Sequence, residues 1–233
     1  MMDLWLPPKP AIIMPAPKQA NFLPGWFPGG GIAGRTPFDI SYTATSDQGA
    51  STTYTFTSLA IGNPDSLRAI FVGVTGANGG TVNSVTVGGI SATQVVANTG
   101  TNFSLALWVA VVPTGTTANV VVTFAAGQAR CAVQIVRMVG YNSLTPTDTD
   151  APAGGGDASR TITIDAPANG GVMSFACGRG GAIGVTNTTL LNATTTGGSD
   201  NVACAAYITV GSAEANRVIT HNPCRANLGA AYT

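Results

Sequence analysis

From about residue 53 the chain is a succession of short apolar or alternating runs broken by glycine, proline and asparagine. Residues 53–61 alternate around Tyr54, Phe56 and Leu59, the period-2 pattern of a strand with one face on a core. Residues 67–74 read as a continuous apolar run, as in a strand covered on both faces. Residues 82–87 run into Gly88-Gly89 and resume at 90–96, a hairpin signal because paired glycines reach the positive φ of a tight turn. The runs 105–112, 120–125 and 131–139 follow, punctuated by Pro113-Thr114-Gly115 and Gly127. Residues 145–156 read as a polar, Pro/Gly-rich loop. Ile162 and Ile164 restart the alternation, 172–177 follows Gly170-Gly171, and Val202, Cys204, Ala206, Ile208 and Val210 mark one face of a late strand. Residues 217–221 and 226–232 close the series. About ten strands without a credible helix predict an all-β chain, an antiparallel β-sandwich of jelly-roll type. No repeat of fixed period is visible, which argues against a propeller or solenoid. The parts flanking the 145–157 loop could each form a small sandwich. The second alone would have a thin core, so one domain over 36–233 is expected, with a subdivision near 145–157 left open.

Residues 1–35 break the pattern. Seven of the chain's 14 prolines fall there. Proline fixes φ and removes donors, so an extended arm, partly polyproline II, is expected. Disordered tails are polar and poor in aromatics, whereas this segment carries Trp5, Leu6, Ile12, Phe22, Leu23, Trp26 and Phe27. With no core of its own to receive them, these seven residues are expected to anchor the arm on a partner, as aromatic hot spots do. Burying the four aromatics would supply several kcal/mol of gross docking energy at ~25 cal/mol per Å². Gly29-Gly30-Gly31 reads as the hinge to the sandwich.

Composition narrows the class of function. Charged residues make up 9% of the chain, against about 25% in soluble domains generally. Ten basic and ten acidic side chains cancel, and no Lys/Arg cluster supplies a local field for nucleic acid or an anionic membrane. A weakly charged surface favours association, which suits a subunit of an assembly. No segment reaches the ~20 apolar residues of a spanning helix. The first residues lack the basic start of a signal peptide, and their prolines interrupt any apolar helix, so export by that route is not expected. Of the four cysteines, Cys131, Cys177 and Cys204 lie in apolar runs and Cys224 follows a proline. Reduced, buried thiols are expected rather than disulfides.

Candidates for chemistry are few. His221 is the single histidine. As a general base, or with Cys224 as half of a metal site, it would need partners that no second histidine or Cys-x-x-Cys spacing provides. The expected role is a polar residue at a strand end. No Gly-x-Ser-x-Gly nucleophile motif is present, and no phosphate loop precedes a helix. Asp148, Asp150 and Asp157 share one loop and could bind Ca²⁺ or act as a glycosidase pair. The EF-hand spacing is not met, and a turn-making role is favoured. Arg137 alternates onto the face of Cys131, Val133 and Ile135, so it either ends the buried section or pairs with a carboxylate. Trp108 is expected in the core rather than as a sugar platform. No catalytic residue, cofactor or metal is therefore predicted.

Several motifs together carry a resemblance. They are Val85-x-Val87-Gly88-Gly89-x-x-Ala92-Thr93, Ala106-Leu107-Trp108, Val112-Pro113-Thr114-Gly115 and Val120-Val121-Val122-Thr123-Phe124, within 84–149. The segment resembles a β-sandwich of tailed-phage and prophage structural proteins. The openings LWLPPKPAII and FLPGWFPGG resemble the starts of short virion-associated proteins from phages of alphaproteobacteria. The resemblance implies a jelly-roll-like domain displayed on the particle and no catalytic residues. It also implies a virion location after synthesis in the host cytoplasm. The partners would be the major capsid protein, or portal, collar or tail subunits, and copies of the chain itself. The leading expectation is a capsid decoration (cement) protein attached through its arm. The alternative is a collar, tail or fibre accessory protein whose sandwich binds host surface glycans through the loops at 98–102 and 145–157. A depolymerase ranks third.

Overall fold

The computed structural model describes residues 42–47, 49–179, 182–195, 200–208 and 211–233. The arm residues 1–35, including all seven anchoring positions, and the Cys204 side chain lie outside the described residues. The described residues form seventeen strands and no helix. The alternation of 53–61 does form a strand, as do the continuous runs, because Thr, Val and Ile restrict χ1 in favour of the pleated backbone.

The first nine strands are β1 (Tyr42–Asp47), β2 (Ser51–Ala60), β3 (Ala69–Ala77), β4 (Val82–Val87), β5 (Ile90–Ser91), β6 (Thr93–Gly100), β7 (Phe103–Val111), β8 (Thr117–Gln128) and β9 (Arg130–Met138). They make an outer sheet in the order β2-β8-β4-β5 and an inner sheet in the order β1-β9-β3-β7-β6. All their pairings are antiparallel. A five-stranded and a four-stranded sheet interleaved in this way, with successive strands crossing between them, make a jelly roll in which β6 extends the inner sheet. At the β4–β5 turn both Gly88 (φ 59°) and Gly89 (φ 82°) are in the left-handed region, as the glycine pair predicts. The chain leaves the outer sheet after Ser91 and joins the inner one at Thr93.

The remaining strands are β10 (Asp148–Asp150), β11 (Ala158–Ala166), β12 (Gly171–Arg179), β13 (Gly184–Thr186), β14 (Thr189–Thr195), β15 (Asp200–Ile208), β16 (Glu214–Cys224) and β17 (Ala226–Tyr232). Their sheets run β10-β17-β12-β15-β14 and β11-β16-β13. This is the first arrangement again, strand for strand, lacking only a counterpart of β5. The chain therefore runs through the same jelly-roll strand order twice. Sequence retains a trace of it where Ala118-Asn119-x-Val121-x-Thr123 is matched by Ala215-Asn216-x-Val218-x-Thr220. Pairing agrees with that match: Tyr54 stands opposite Val122, and Ile162 opposite Ile219. A two-fold repeat of about a hundred residues has none of the short period that marks a solenoid, and four shared positions are a faint signal in a Thr/Val-rich chain.

Three cores stack four sheets in the order first outer, first inner, second inner, second outer. Tyr54, Phe56, Val72, Val122 and Phe124 fill the first roll. Ile162, Ile164, Val172 and Ile219 fill the second, which is the smaller cluster. Between the rolls, Phe71, Leu105, Leu107 and Met138 pack against Met173, Phe175, Leu228 and Tyr232. The nine-residue strands β3 and β12 align end to end, which makes Phe71 equivalent to Met173 and Gly73 equivalent to Phe175. The rolls thus meet through the same face of the same sheet, the geometry of an approximate twofold. At its centre the Phe175 ring occupies the space above Gly73, where a Cβ would fall 2.3 Å from ring carbon. Phe71 and Tyr232 pack edge to face at 5.0 Å, a contact worth about 0.5–1.5 kcal/mol beyond area burial.

Short strands account for part of the difference from about ten. β5, β10 and β13 have two or three residues, too few for periodicity to register. β10 lies inside the segment read as a loop, where Asp148–Asp150 pairs with the edge of β17.

Candidate functional site

The two loops expected to face a glycan do converge, at the end of the molecule where the rolls meet. Asn98 of β6 is buried, and its Nδ2 donates to the carbonyls of Pro152 (2.6 Å) and Asn227 (3.1 Å). A Cβ on Gly154 would fall 2.1 Å from the Phe103 ring, so only glycine lets the 151–157 loop approach this closely. Arg160 holds that loop from the other side, donating to the carbonyls of Ala153, Gly156 and Cys224. What remains open is a crevice of about 20 Å³ lined by Thr75, Gly76, Asn102, Phe103, Cys177 and Arg225, the room of one water.

The three loop aspartates are not brought together. Asp148 Oδ2 accepts from the Asp165 amide (2.8 Å) and Asp150 Oδ2 from the Thr163 amide (2.7 Å). Both amides belong to β11, an edge strand, so the two carboxylates from the neighbouring sheet cap donors that would otherwise invite another strand. Asp157 accepts from the Arg179 amide (2.7 Å) and pairs with Arg225 Nε at 3.2 Å. No group of three or more His, Cys, Asp or Glu side chains suited to a metal occurs among the described residues. The turn-making reading fails for Asp148 and Asp150, which lie in a strand and cap the edge of another.

His221 lies inside β16, not at its end, and its ring is fully buried between the sheets of the second roll. Nε2 lies 3.2 Å from Ser174 Oγ, and Nδ1 lies 3.4 Å from Asn227 Nδ2. Asn227 Nδ2 also donates to the Arg160 carbonyl (3.1 Å), which fixes the amide as donor toward the ring. Nδ1 is therefore the acceptor, and the ring proton sits on Nε2, toward the serine hydroxyl. A histidine that activates serine needs the reverse, a bare nitrogen toward the hydroxyl and N–H toward the third residue. Ser174, His221 and Asn227 are all fully buried, out of reach of a substrate. Burial lowers the His221 pKa to about 4, so the ring is neutral at pH 7. Cys224 donates to the His221 carbonyl, and burial, foremost among its causes, raises its thiol to about 12. It is neither a nucleophile nor a metal ligand in this state.

Other singled-out residues fall in the core. Trp108 belongs to the first roll's cluster, as expected. Arg137 is buried, facing the first outer sheet, with Nε donating to the Asn63 carbonyl at 3.0 Å. Cys131, Cys177 and Cys224 are buried, as expected of residues in apolar runs. Arg68 was hidden in a run read as apolar. It is fully buried and donates to the carbonyls of Val112, Gly62, Gly115 and Thr114 at 2.6–2.9 Å. It staples the loops at one end of the first roll. Desolvation lowers its pKa, assisted by the Arg137 charge and partly opposed by Asp65. The lone arginine at the head of an otherwise apolar run was the available signal, together with two loops full of carbonyls to receive it.

The fold defines an all-β protein built from paired jelly-roll sandwiches. No protein-family model, curated protein or solved structure matches the chain.

Proposed function

We propose that the chain is a non-enzymatic structural component of a tailed-phage virion, a capsid decoration protein that attaches through residues 1–35 and displays the paired rolls. The observation that supports this best is the use to which its polar side chains are put. Asp148, Asp150, Asp157, Arg68, Arg160 and the Ser174–His221–Asn227 trio all bind the protein's own backbone or one another. Such side chains hold loops and edges rigid, which is what a displayed building block requires. The low charge and the aromatic arm point the same way, as does the motif resemblance. A collar or tail site for the same chain follows the same logic.

A glycan-binding accessory protein is the second reading, favoured by the convergence of the 98–102 and 151–157 loops at one end. A glycan array tests it, with binding above background expected only under that reading.

Co-sedimentation with purified virions or empty capsids tests the first. Full-length chain is expected to pellet with particles. The full-length variant carrying Trp5→Ala, Trp26→Ala and Phe27→Ala is expected to stay in the supernatant while keeping its β-type circular dichroism. Equal pelleting of both would overturn attachment through the arm.

A further inference from the structure

The 151–157 loop clasps the two rolls together at one end. Asn98 of the first roll donates to its Pro152 carbonyl and, through the same Nδ2, to the Asn227 carbonyl of the second. The Arg160 guanidinium donates to Ala153 and Gly156 within the loop, and the Gly155 amide donates to the Arg225 carbonyl at 2.9 Å. Gly154 sits against the Phe103 ring. Two of the residues that hold this clasp also belong to the buried polar set behind it. Asn227 gives its backbone carbonyl to Asn98 and its side chain to His221. Arg160 gives its guanidinium to the loop and its backbone carbonyl to Asn227 Nδ2. Arg160 is also the register partner of His221, next to the register shift that follows Ala158. Whatever displaces the Asn227 amide therefore acts on both holders of the clasp.

The amide is arranged for a neutral ring. Its Nδ2 lies 3.1 Å from the Arg160 carbonyl and 3.4 Å from His221 Nδ1, while Oδ1 is buried and accepts from no described group. A proton on Nδ1 would set N–H against N–H. Turning the amide over would offer the ring an acceptor, but it would set Oδ1 against the Arg160 carbonyl oxygen. Either way the bond between Asn227 and Arg160 is lost. At the other ring nitrogen the Ser174 hydroxyl already faces the ring proton. Among the described residues no carboxylate is placed to hold an imidazolium. Of the ionisable groups on the packed strands, Arg160 of β11 and Arg179 of β12 are cations, and Cys177 of β12 and Tyr232 of β17 are buried; β13 has none. Asp165 of β11 accepts from the Asn216 amide, and on β16 itself Glu214 pairs with Arg217. Cys224 donates to the His221 carbonyl. Asp157, whose charge reaches Cys224, is engaged by Arg225 and the Arg179 amide. We propose that His221 and Asn227 form an acid-released latch on the clasp: a proton on the imidazole breaks the bond between Asn227 and Arg160 and lets the 151–157 loop lift off Phe103. The sign follows from burial. The closed form holds the ring neutral, with its pKa lowered from 6.5 to about 4, so the opened form takes the proton first. The latch is closed above pH 6.5 and is lost as pH falls toward 4. This device belongs to the fold and does not depend on the virion reading.

Amide hydrogen exchange of the full-length chain at pH 7 and pH 4.5 tests the latch, read on peptides and corrected for the intrinsic pH dependence of exchange. Peptides covering 151–160 and 222–228 are expected to lose protection about 50-fold at the lower pH, the ratio that the two pKa values give. Peptides covering 103–111 and 130–138 in the first roll should hold within about threefold, because the opening is local. His221→Phe should abolish the pH dependence of the loop, whatever its absolute protection. Asp157→Asn removes the carboxylate at the clasp and keeps an oxygen for the Arg179 amide, so the acid loss should survive in it. That variant decides the matter if His221→Phe does not fold. Protection of 151–160 that acid leaves unchanged in the wild type would overturn the latch. So would an equal loss in the first-roll peptides, which is global acid unfolding. A loss that persists in His221→Phe, or that vanishes in Asp157→Asn, would overturn it by assigning the pH dependence to the loop carboxylate.

Discussion

In the first jelly roll Val72, Phe124 and Val133 belong to one apolar cluster between its sheets; at the equivalent places in the second stand Ser174, His221 and Asn227, hydrogen-bonded to each other. The strand order is the same, and so is the pairing around them. One fold therefore accepts either an apolar trio or a polar one, but the polar one is a set. His221 supplies the serine with a donor, Asn227 supplies the ring with a donor, and the Arg160 carbonyl holds the amide in place. Removing one member of such a set leaves buried polar atoms unpaired, whereas exchanging the whole set for apolar side chains of similar size is close to neutral. The smaller apolar cluster of the second roll is the setting in which hydrogen bonds carry a larger share of the specificity.

The strongest way to break this comparison is to move one member across. Phe124→His places an imidazole in the first roll with Val72 and Val133 where its partners would be. The expected loss is about 3–5 kcal/mol, combining lost aromatic packing with an unsatisfied polar ring, read from urea midpoints at pH 7. His221→Phe strands the Ser174 hydroxyl and is expected to cost about 1–3 kcal/mol. The triple replacement Ser174→Val, His221→Phe, Asn227→Val should return to within about 1 kcal/mol of wild type. A triple variant less stable than His221→Phe alone would show that the trio is not an interchangeable set.

Acid sharpens the same contrast. The folded pKa of His221 is about 4, lowered from 6.5 by burial, so the unfolded chain binds the proton first as pH falls. Stability contributed by the neutral ring is complete above pH 6.5, declines between 6.5 and 4, and is fully lost below 4. The span corresponds to roughly 3 kcal/mol. The groups bonded to the ring are the Ser174 hydroxyl and the Asn227 amide, neither of which offers an anion to hold an imidazolium. The difference in urea stability between wild type and the triple variant, measured at pH 7 and pH 4, isolates this site from the carboxylates. It should change by that amount in favour of the triple variant at pH 4. A difference independent of pH would mean that His221 gains its proton without leaving the fold.

Much of the architecture was legible because strands announce themselves locally. Tyr54 and Phe56 alternate with threonines, Gly88-Gly89 turns a hairpin, and 172–177 follows paired glycines. The repeated strand order was not legible, because equivalence of two sandwiches is fixed by topology and by non-local pairs such as Tyr54 with Val122. Only the Ala-Asn-x-Val-x-Thr motif survives to report it. The Ser174–His221–Asn227 trio was half legible. His221 stood out as the single histidine, but its partners are 47 residues before it and 6 after it, and nothing local says that all three point into one space. Arg68 escaped for the same reason, since its acceptors lie on two loops folded back over it. Asp148 and Asp150 read as loop residues, because the three-residue strand they occupy and the edge-strand amides they cap are visible only in the pairing.

The smallest expected effect concerns the loop that closes over the second roll. Asp157 makes two kinds of contact there, an ion pair with Arg225 at 3.2 Å and an acceptor bond from the Arg179 amide at 2.7 Å. Asp157→Asn keeps an oxygen for the amide and removes the charge, so it isolates the pair. With both side chains partly exposed, the pair is worth at most about 1 kcal/mol, and less at high salt. Asp157→Ala also strands the Arg179 amide and should cost about 1 kcal/mol more. The two variants, compared by urea denaturation at low and high ionic strength, separate charge from geometry. If Asp157→Asn costs as much as Asp157→Ala and the cost vanishes in salt, the loop is held by electrostatics. The expected outcome is the opposite, a salt-insensitive gap between the variants, because the loop is fixed by backbone groups for which side chains stand in as strand partners.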